Sequence, residues 1–514
     1  MEGLARVVRA VWKDPDLPRQ WGAAMVAALV VLFPLLLSVD LYIDDIERAI
    51  DGGLGWVRVG RPLADVLLEW LNFGRPATAV APLYTLVAMA LLSAVGVLCA
   101  RAYAIRSPFW TAIATLPLMA QPYALQAMSY GFDAVFMAAA LAAAVVAALL
   151  VNIQGRGWLV IAALLFQLLA FNLYQPAANC FLVMTGCLCI AASLGLLHQP
   201  WQRQSLRARL LFSFVVYSGG FGLYRLLFAL LFEYRLNRYA SSAAEFKPLN
   251  VQLPMALMAS AFEPFQQIFR DFGAWPVVLP LLVLLLTYAG LVRGVRGWGA
   301  VSLLLGLNFL VLLVAPGGML LLRESFVRHP RVLLYLGPWL TSLILQIVVL
   351  ARLGQRRLFS FGVLPLIWLM VVVSYAYGHA FAVQASFEQG RLSRIVAAAS
   401  TLCARGDQPP VQFLIVQGAM PRSPVLQNTV RKFPLIDRLI PPLINDNQTF
   451  SFSQLRLHGL DLQKRRPSEL KGNWPMSCEP SLDAICTQEF SLQRVGADTL
   501  VLQMAPSAEV RPEA

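Results

Sequence analysis

The fold class predicted by this chain is mostly α, a polytopic bundle of transmembrane helices with a small α+β domain at its C-terminal end, and three observations predict it. Hydrophobic residues fill 58% of the 514 positions and charged residues only 13%, a balance that a water-facing surface of this size does not tolerate. The apolar residues gather into about eleven runs, each near the ~20 residues that cross a hydrocarbon core. Basic residues then mark alternate gaps between the runs, as the positive-inside rule requires.

The runs lie at roughly 22–39, 78–100, 108–127, 134–152, 158–174, 176–197, 210–232, 277–292, 298–315, 332–351 and 360–381. With the N-terminus in the cytoplasm, the inside gaps hold Arg6, Arg9, Lys13 and Arg19, then Arg101 and Arg106, then Arg156, then Arg203, Arg207 and Arg209. The later ones hold Arg293 and Arg296, and finally Arg352, Arg356 and Arg357. The net charge of +13 is therefore a record of topology, and nucleic acid is not an expected partner. The first run is long, lacks a small-residue cleavage pattern and is followed by further spans, so it reads as a retained helix and not a signal peptide. An odd number of spans places the C-terminus outside.

Two domains follow: a transmembrane domain over 1–382, including a first outside loop at 40–77, and a soluble outside domain over 383–514. In the first loop Leu63, Val66, Leu67 and Trp70 recur at helical spacing, the pattern of a helix lying among lipid headgroups. The outside segment 233–276 carries Tyr234, Tyr239, Phe246 and Trp275 and the amphipathic stretch MALMASAFEPFQQIF, which suits a return to the interface. The tail opens on a helical pattern, RLSRIVAAASTLCA, and later shows strand-like VQFLIV and TLVLQM. Cys99, Cys180, Cys187 and Cys189 sit in apolar runs as small buried hydrophobes. Cys478 and Cys486 lie close together in the outside domain, where an oxidising compartment favours a disulfide.

The densest chemistry is YIDDIER, directly after the first span. Asp44, Asp45 and Glu47 stand beside Arg48, followed by Trp56, Arg58 and GRPLAD with Gly60, Arg61 and Asp65. Carboxylates at a bilayer face near cations can act as a general base and help bind a phosphate headgroup or a metal; a solvated interfacial loop has the same composition. Asp45 and Arg48 are three apart and share a helix face, which favours Asp45 as base and Asp44 as its positioning partner. Arg48, Arg58 and Arg61 are the phosphate ligands of choice in this loop, since guanidinium binds phosphate bidentately. A second cationic group, Arg323, Arg328, His329 and Arg331 in RESFVRHPRVLLYL, lies on the side that the positive-inside rule disfavours, which points to a specific anion; snorkelling to anionic lipid is its other reading, and Glu324 can neutralise one member. With four His, no zinc spacing and no phosphate-cradling Gly-rich loop, zinc and nucleotide hydrolysis are unsupported.

The stretch SVDLYIDDIERAIDGGLGWVRVGRPLADVLLEWLNFG, with QPYALQAMSYGFDAVFM and NLYQPAANCFL further on, resembles the bacterial type II glucosyltransferase family, which modifies O-antigen and related surface polysaccharides. The resemblance covers roughly residues 20–200 by motif and the rest by hydropathy and order. It implies a GT-C type membrane glycosyltransferase of the bacterial inner membrane. Its donor would be a polyprenyl-phosphate-linked sugar, its acceptor a polysaccharide or glycolipid such as lipopolysaccharide, and its outside domain periplasmic. It also implies a catalytic acid in the first outside loop, here Asp44 or Asp45, and a second acid between spans three and four, here Asp133. A helix N-terminal acid is the alternative reading of Asp133. Paired acids hold a divalent cation such as Mg or Mn in some sites and act without one in others, so metal dependence, like the sugar and the acceptor, stays open.

A lipid-linked sugar flippase is the competing class, since Gln121, Gln126, Asn172 and Gln175 lie within the apolar runs; a polysaccharide-binding scaffold is a third. The arginine distribution makes one firm prediction. A cysteine introduced near residue 205 should escape an impermeant thiol reagent in intact cells while one in the C-terminal domain reacts, and labelling near 205 would overturn the topology.

Overall fold

The computed structural model describes residues 14–38, 41–154, 157–232, 236–273, 275–404, 409–446, 448–469, 481 and 483–504. Of the sequence-stretch expectations above, Arg6, Arg9, Lys13, Arg156, Tyr234 and Cys478, and the side chains of Tyr239 and Trp275, lie outside the described residues. The protein is mostly helical. Among the described residues eight helices are long and apolar enough to cross a membrane: Asp16–Ser38, Leu83–Ala102, Ala134–Val151, Gln175–Ser193, Leu206–Leu231, Val278–Arg296, Pro330–Leu353 and Arg357–Cys403. The three remaining apolar runs fall on the shorter helices Pro108–Ala120, Gly157–Leu173 and Trp298–Val314. Seventeen residues of helix measure about 26 Å, short of the ~30 Å core, so length supports eight spans where the sequence predicts about eleven.

The chain divides into two compact units, Met1–Leu37 with Leu54–Gly74 and Val80–Ala376, and Ser38–Gly53 with Arg75–Ala79 and Tyr377–Ala514. The segment 40–77 is thus shared: its acidic helix Asp44–Asp51 belongs to one unit, and the turn Trp56–Val59 and helix Pro62–Leu71 to the other.

In the first unit the alanine-rich helix Ala134–Val151 packs against Leu83–Ala102 and Gly157–Leu173, its small side chains allowing close backbone approach. The Pro330–Leu353 window is 89% buried whereas Leu206–Leu231 and Val278–Arg296 are each 22% buried. The latter two expose Leu, Val and Phe that only lipid can cover. Helix Leu253–Phe272 forms where the amphipathic stretch predicts it, and its exposed Met255, Met258 and Phe269 share one face, as the interfacial reading requires. Helix Pro62–Leu71 likewise forms, burying Ala64 and Leu68 and exposing Val66 and Trp70. One predicted span differs in kind. The run at 108–127 breaks into Pro108–Thr115, Pro117–Ala120 and Ala124–Ser129, because Pro117 and Pro122 lack the N–H that would continue the helix.

The second unit holds a five-stranded mixed sheet of order β2-β1-β5-β4-β3. The strands are β1 (Phe413–Gln417), β2 (Gln463–Lys464), β3 (Ala484–Cys486), β4 (Phe490–Val495) and β5 (Thr499–Met504). The two strand-like runs in the sequence are β1 and β5, which pair in parallel at the centre, Phe413 opposite Thr499 and Gln417 opposite Gln503. Buried on nearly every residue, β5 has the continuous apolar pattern of a strand covered on both faces. Covering it is the end of the 40-residue helix Leu364–Cys403, whose Leu392, Ile395, Ala399 and Leu402 join Leu414, Leu492 and Leu500 in one core. Cys486 is disulfide-bonded.

The same helix ties down the sheet edge through Glu489, which Arg394 reaches at 2.6 Å and Arg391 at 3.3 Å. The Arg394 hydrogen bond, helped by the charge of Arg391, holds the Glu489 carboxyl below the usual carboxylate range. A depressed acid stabilises the fold above its unfolded pKa of about 4.3 and loses that contribution as pH falls through the lower folded value. Glu489→Gln should therefore lower the unfolding temperature of the purified chain at pH 7, with the gap to wild type closing as pH drops below about 4; parallel curves across that range would refute the pairing.

Candidate functional site

Residues 55–61 form a turn whose shape is imposed by Asp65. Its carboxylate accepts from the backbone N–H groups of Gly55 at 2.9 Å, Trp56 at 2.8 Å and Val57 at 2.8 Å, so the acid of the GRPLAD sequence is an organiser of the turn. Trp56 is fully buried and meets Phe136 edge to face. The turn closes on Gly60 at φ +79°, where a Cβ would meet the Tyr224 hydroxyl at 2.8 Å and the Gln175 amide at 2.9 Å. Those two groups donate to the Gly60 carbonyl. Only glycine fits there.

Arg61 follows directly. Its guanidinium lies 3.9 Å from Asp133 and 4.5 Å from the centre of the Tyr174 ring. Asp133 stands at the N-terminal cap of Ala134–Val151, but its side chain makes no capping bond and pairs instead with Arg61. Tyr174 sits where helix Gly157–Leu173 breaks before Gln175 and Pro176. Arg331, from the 3₁₀ segment Pro330–Tyr335, acts on the Tyr174 hydroxyl through its charge and lies over the Tyr130 ring at 4.6 Å. The Arg331 backbone N–H donates to Gln126 at 3.0 Å. Four irregular segments thus converge on one cluster of two guanidiniums, one carboxylate and two tyrosines, with Asp133, Tyr130, Tyr174 and Gln126 all buried. Two cations held by an apolar surround can take a phosphate, and the aromatic faces offer stacking surface.

The acidic helix of the second unit has its own order. Asp45 is fully buried, lies 4.0 Å from Arg48 and accepts from the Tyr42 N–H, while Asp44 and Glu47 are exposed. The helix packs on Thr449–Leu457, where Arg456 pairs with Asp51 at 2.6 Å. The other predicted phosphate ligands stand apart from the cluster: Arg58 and His329 are exposed, Arg323 pairs with Glu245 and Arg328 with Glu324. No group of three or more His, Cys, Asp or Glu poised for a metal occurs among the described residues. Sequence reasoning missed Tyr174, whose only signal was the following Gln-Pro. It also missed Asp271, buried in the amphipathic helix and bonded by the Tyr123 hydroxyl at 2.9 Å.

The class these features define is a helical membrane protein with a charged, aromatic-lined cluster built where its helices break. The chain belongs to the family described as glucosyl transferase GtrII, whose match runs over residues 20–342 and so takes in Asp44, Asp45, Arg61, Asp133, Tyr174 and Arg331. A stretch of 157 residues is 29% identical to an uncharacterized 55.3 kDa protein in the gtrB 5′ region of Salmonella phage P22. The shared stretch covers 30% of this chain and 32% of that relative, about a third of its length. No solved structure matches.

Removing the Asp65 carboxylate leaves three backbone N–H groups without their acceptor, each costing roughly 1 kcal/mol or more. Asp65→Ala should therefore destabilise the purified chain by about 3 kcal/mol, and Asp65→Asn, which keeps one oxygen, by less. Equal unfolding temperatures for Asp65→Ala and wild type would show that the turn does not depend on it.

Proposed function

We propose that this protein is a membrane glycosyltransferase that transfers a hexose, glucose by its family, from a polyprenyl-phosphate donor to a surface polysaccharide or O-antigen acceptor on the periplasmic face of the bacterial inner membrane. The observation that carries the reading is the Arg61–Asp133–Tyr174–Arg331 cluster in the first unit. Transfer from a lipid phosphate forms a bond from the acceptor oxygen to the anomeric carbon and breaks the bond from that carbon to the phosphate oxygen. The acceptor proton must go to a base, and the departing phosphate needs a cation. Arg61 and Arg331 meet the phosphate and Asp133 positions Arg61; the base, on the sequence reading, is Asp45 of the first loop. A flippase reading draws on the broken helices and their buried amides, the architecture of many transport sites.

The test is transfer by the purified chain from a radiolabelled polyprenyl-phosphate sugar to candidate glycans, with and without chelator. Asp45→Asn keeps the shape of the side chain but not its basicity, and should lower turnover by at least ~10²-fold. Arg61→Ala and Arg331→Ala should chiefly raise the donor KM, because the phosphate is present before and after transfer. Wild-type turnover in Asp44→Asn, Asp45→Asn and Asp133→Asn alike would abandon the acid mechanism and move the flippase ahead.

A further inference from the structure

The C-terminal unit contains an open cleft of about 430 Å³, lined by Ala385, Gln389 and Leu392 from the long helix, Leu443 from a loop, and Leu457 and His458 at the end of helix Thr449–Leu457. Residues 385, 389 and 392 fall on one helix face. So does Glu388, which is buried beneath that face and accepts from the Gln384 amide at 2.8 Å and from the backbone N–H of Leu443 at 3.3 Å. Glu388 thereby fixes one wall of the cleft to another. The His458 Nδ1 bonds the Gln454 carbonyl at 2.9 Å, so Nδ1 carries the proton and Nε2 is left as an acceptor. The rim thus offers an amide, both donor and acceptor, and an imidazole acceptor, set beside the aliphatic surface of Ala385, Leu443 and Leu457.

Those groups match the alternation of hydroxyls and C–H faces on a pyranose. Among the described residues no Lys or Arg lines the cleft, so it offers no cation to a charged sugar. Its volume lies in the range of small-ligand sites. The helix that ends in Leu457 and His458 is also the one on which the Asp44–Asp51 helix packs, so the cleft and the proposed base share one unit and one supporting element.

We propose that this cleft is a subsite for an uncharged saccharide, the acceptor glycan of the transfer described above, on which reading its biological role rests. The purified full-length chain is titrated by saturation-transfer NMR with neutral disaccharides containing glucose, galactose, mannose or rhamnose, and with a glucuronic-acid disaccharide as the charged control. At least one neutral disaccharide should bind and the charged one should not. Gln389→Ala and His458→Ala, both at the rim, should weaken that binding at least tenfold without changing the unfolding temperature, and Leu443→Trp, which fills the cleft, should abolish it. Absence of binding by every neutral disaccharide, or binding that survives all three substitutions, overturns the assignment. If the sugar binds here but the chain transfers nothing from a polyprenyl-phosphate donor, the transferase reading fails and the cleft stands. If transfer occurs with an unchanged acceptor KM in Gln389→Ala and His458→Ala, the cleft fails and the transferase reading stands.

Discussion

Every break in a membrane helix frees backbone groups that hydrocarbon cannot satisfy, and the first unit is organised around satisfying them. The Gly60 carbonyl receives the Gln175 amide and the Tyr224 hydroxyl. The Pro316 carbonyl receives Asn179 at 2.7 Å, and the N–H of Arg331 finds Gln126. Each bond joins residues more than a hundred positions apart in the chain. The same bonds therefore fix four irregular segments against one another and deliver Arg61, Asp133, Tyr174 and Arg331 to a common place. Irregular backbone between helices is tolerated where its polar groups find partners in the protein, so the structural necessity and the chemical opportunity coincide.

That coincidence sets what the sequence could reveal. The helices were legible because lipid demands long apolar stretches, and all eleven runs fall on helices. The breaks were legible only where proline marks them: Pro176 opens a new run, whereas around Pro117 and Pro122 the residues are apolar enough to keep a single run intact. Arg61 and Asp133 stood out as charges beside spans, but their pairing joins positions 72 apart with no local pattern behind it. Tyr174 was invisible as a functional residue, since an aromatic side chain in an apolar run has the signature of packing. Asp65 looked like part of an acidic site and proves to be a backbone anchor; composition cannot distinguish a carboxylate aimed at solvent from one that accepts three N–H groups.

The C-terminal unit shows a different limit. Its central strands β1 and β5 were readable because both are continuous β-branched and leucine-rich runs, whereas β2 and β3 are two and three residues long and carry no periodicity. The boundary near 382, drawn where apolar residues give way to polar ones, divides a helix that runs unbroken from Leu364 to Cys403. Gly378 and Gly390 lower helix propensity without ending it, and the segment's proline, Pro365, sits in its first turn where no helical N–H is lost. A change in solvent alters the composition of a helix more readily than it alters its backbone.

Burial also separates the arginines that sequence treats alike. Arg323 and Arg328 pair with glutamates while 70% and 68% exposed, whereas Arg61 is 15% exposed and its partner Asp133 7%. At about 4 Å an ion pair is worth roughly 1 kcal/mol in water and roughly 4 kcal/mol near an effective dielectric of 20, so the screened pairs add little. Taking Arg61 out of water requires a partner, and Asp133 supplies it. For the proposed donor phosphate this means that the guanidinium is already desolvated and oriented before the ligand arrives, with a second cation, Arg331, held over Tyr130. Binding then adds an anion to a site whose reorganisation was completed during folding, the condition under which electrostatic stabilisation of a leaving phosphate is largest.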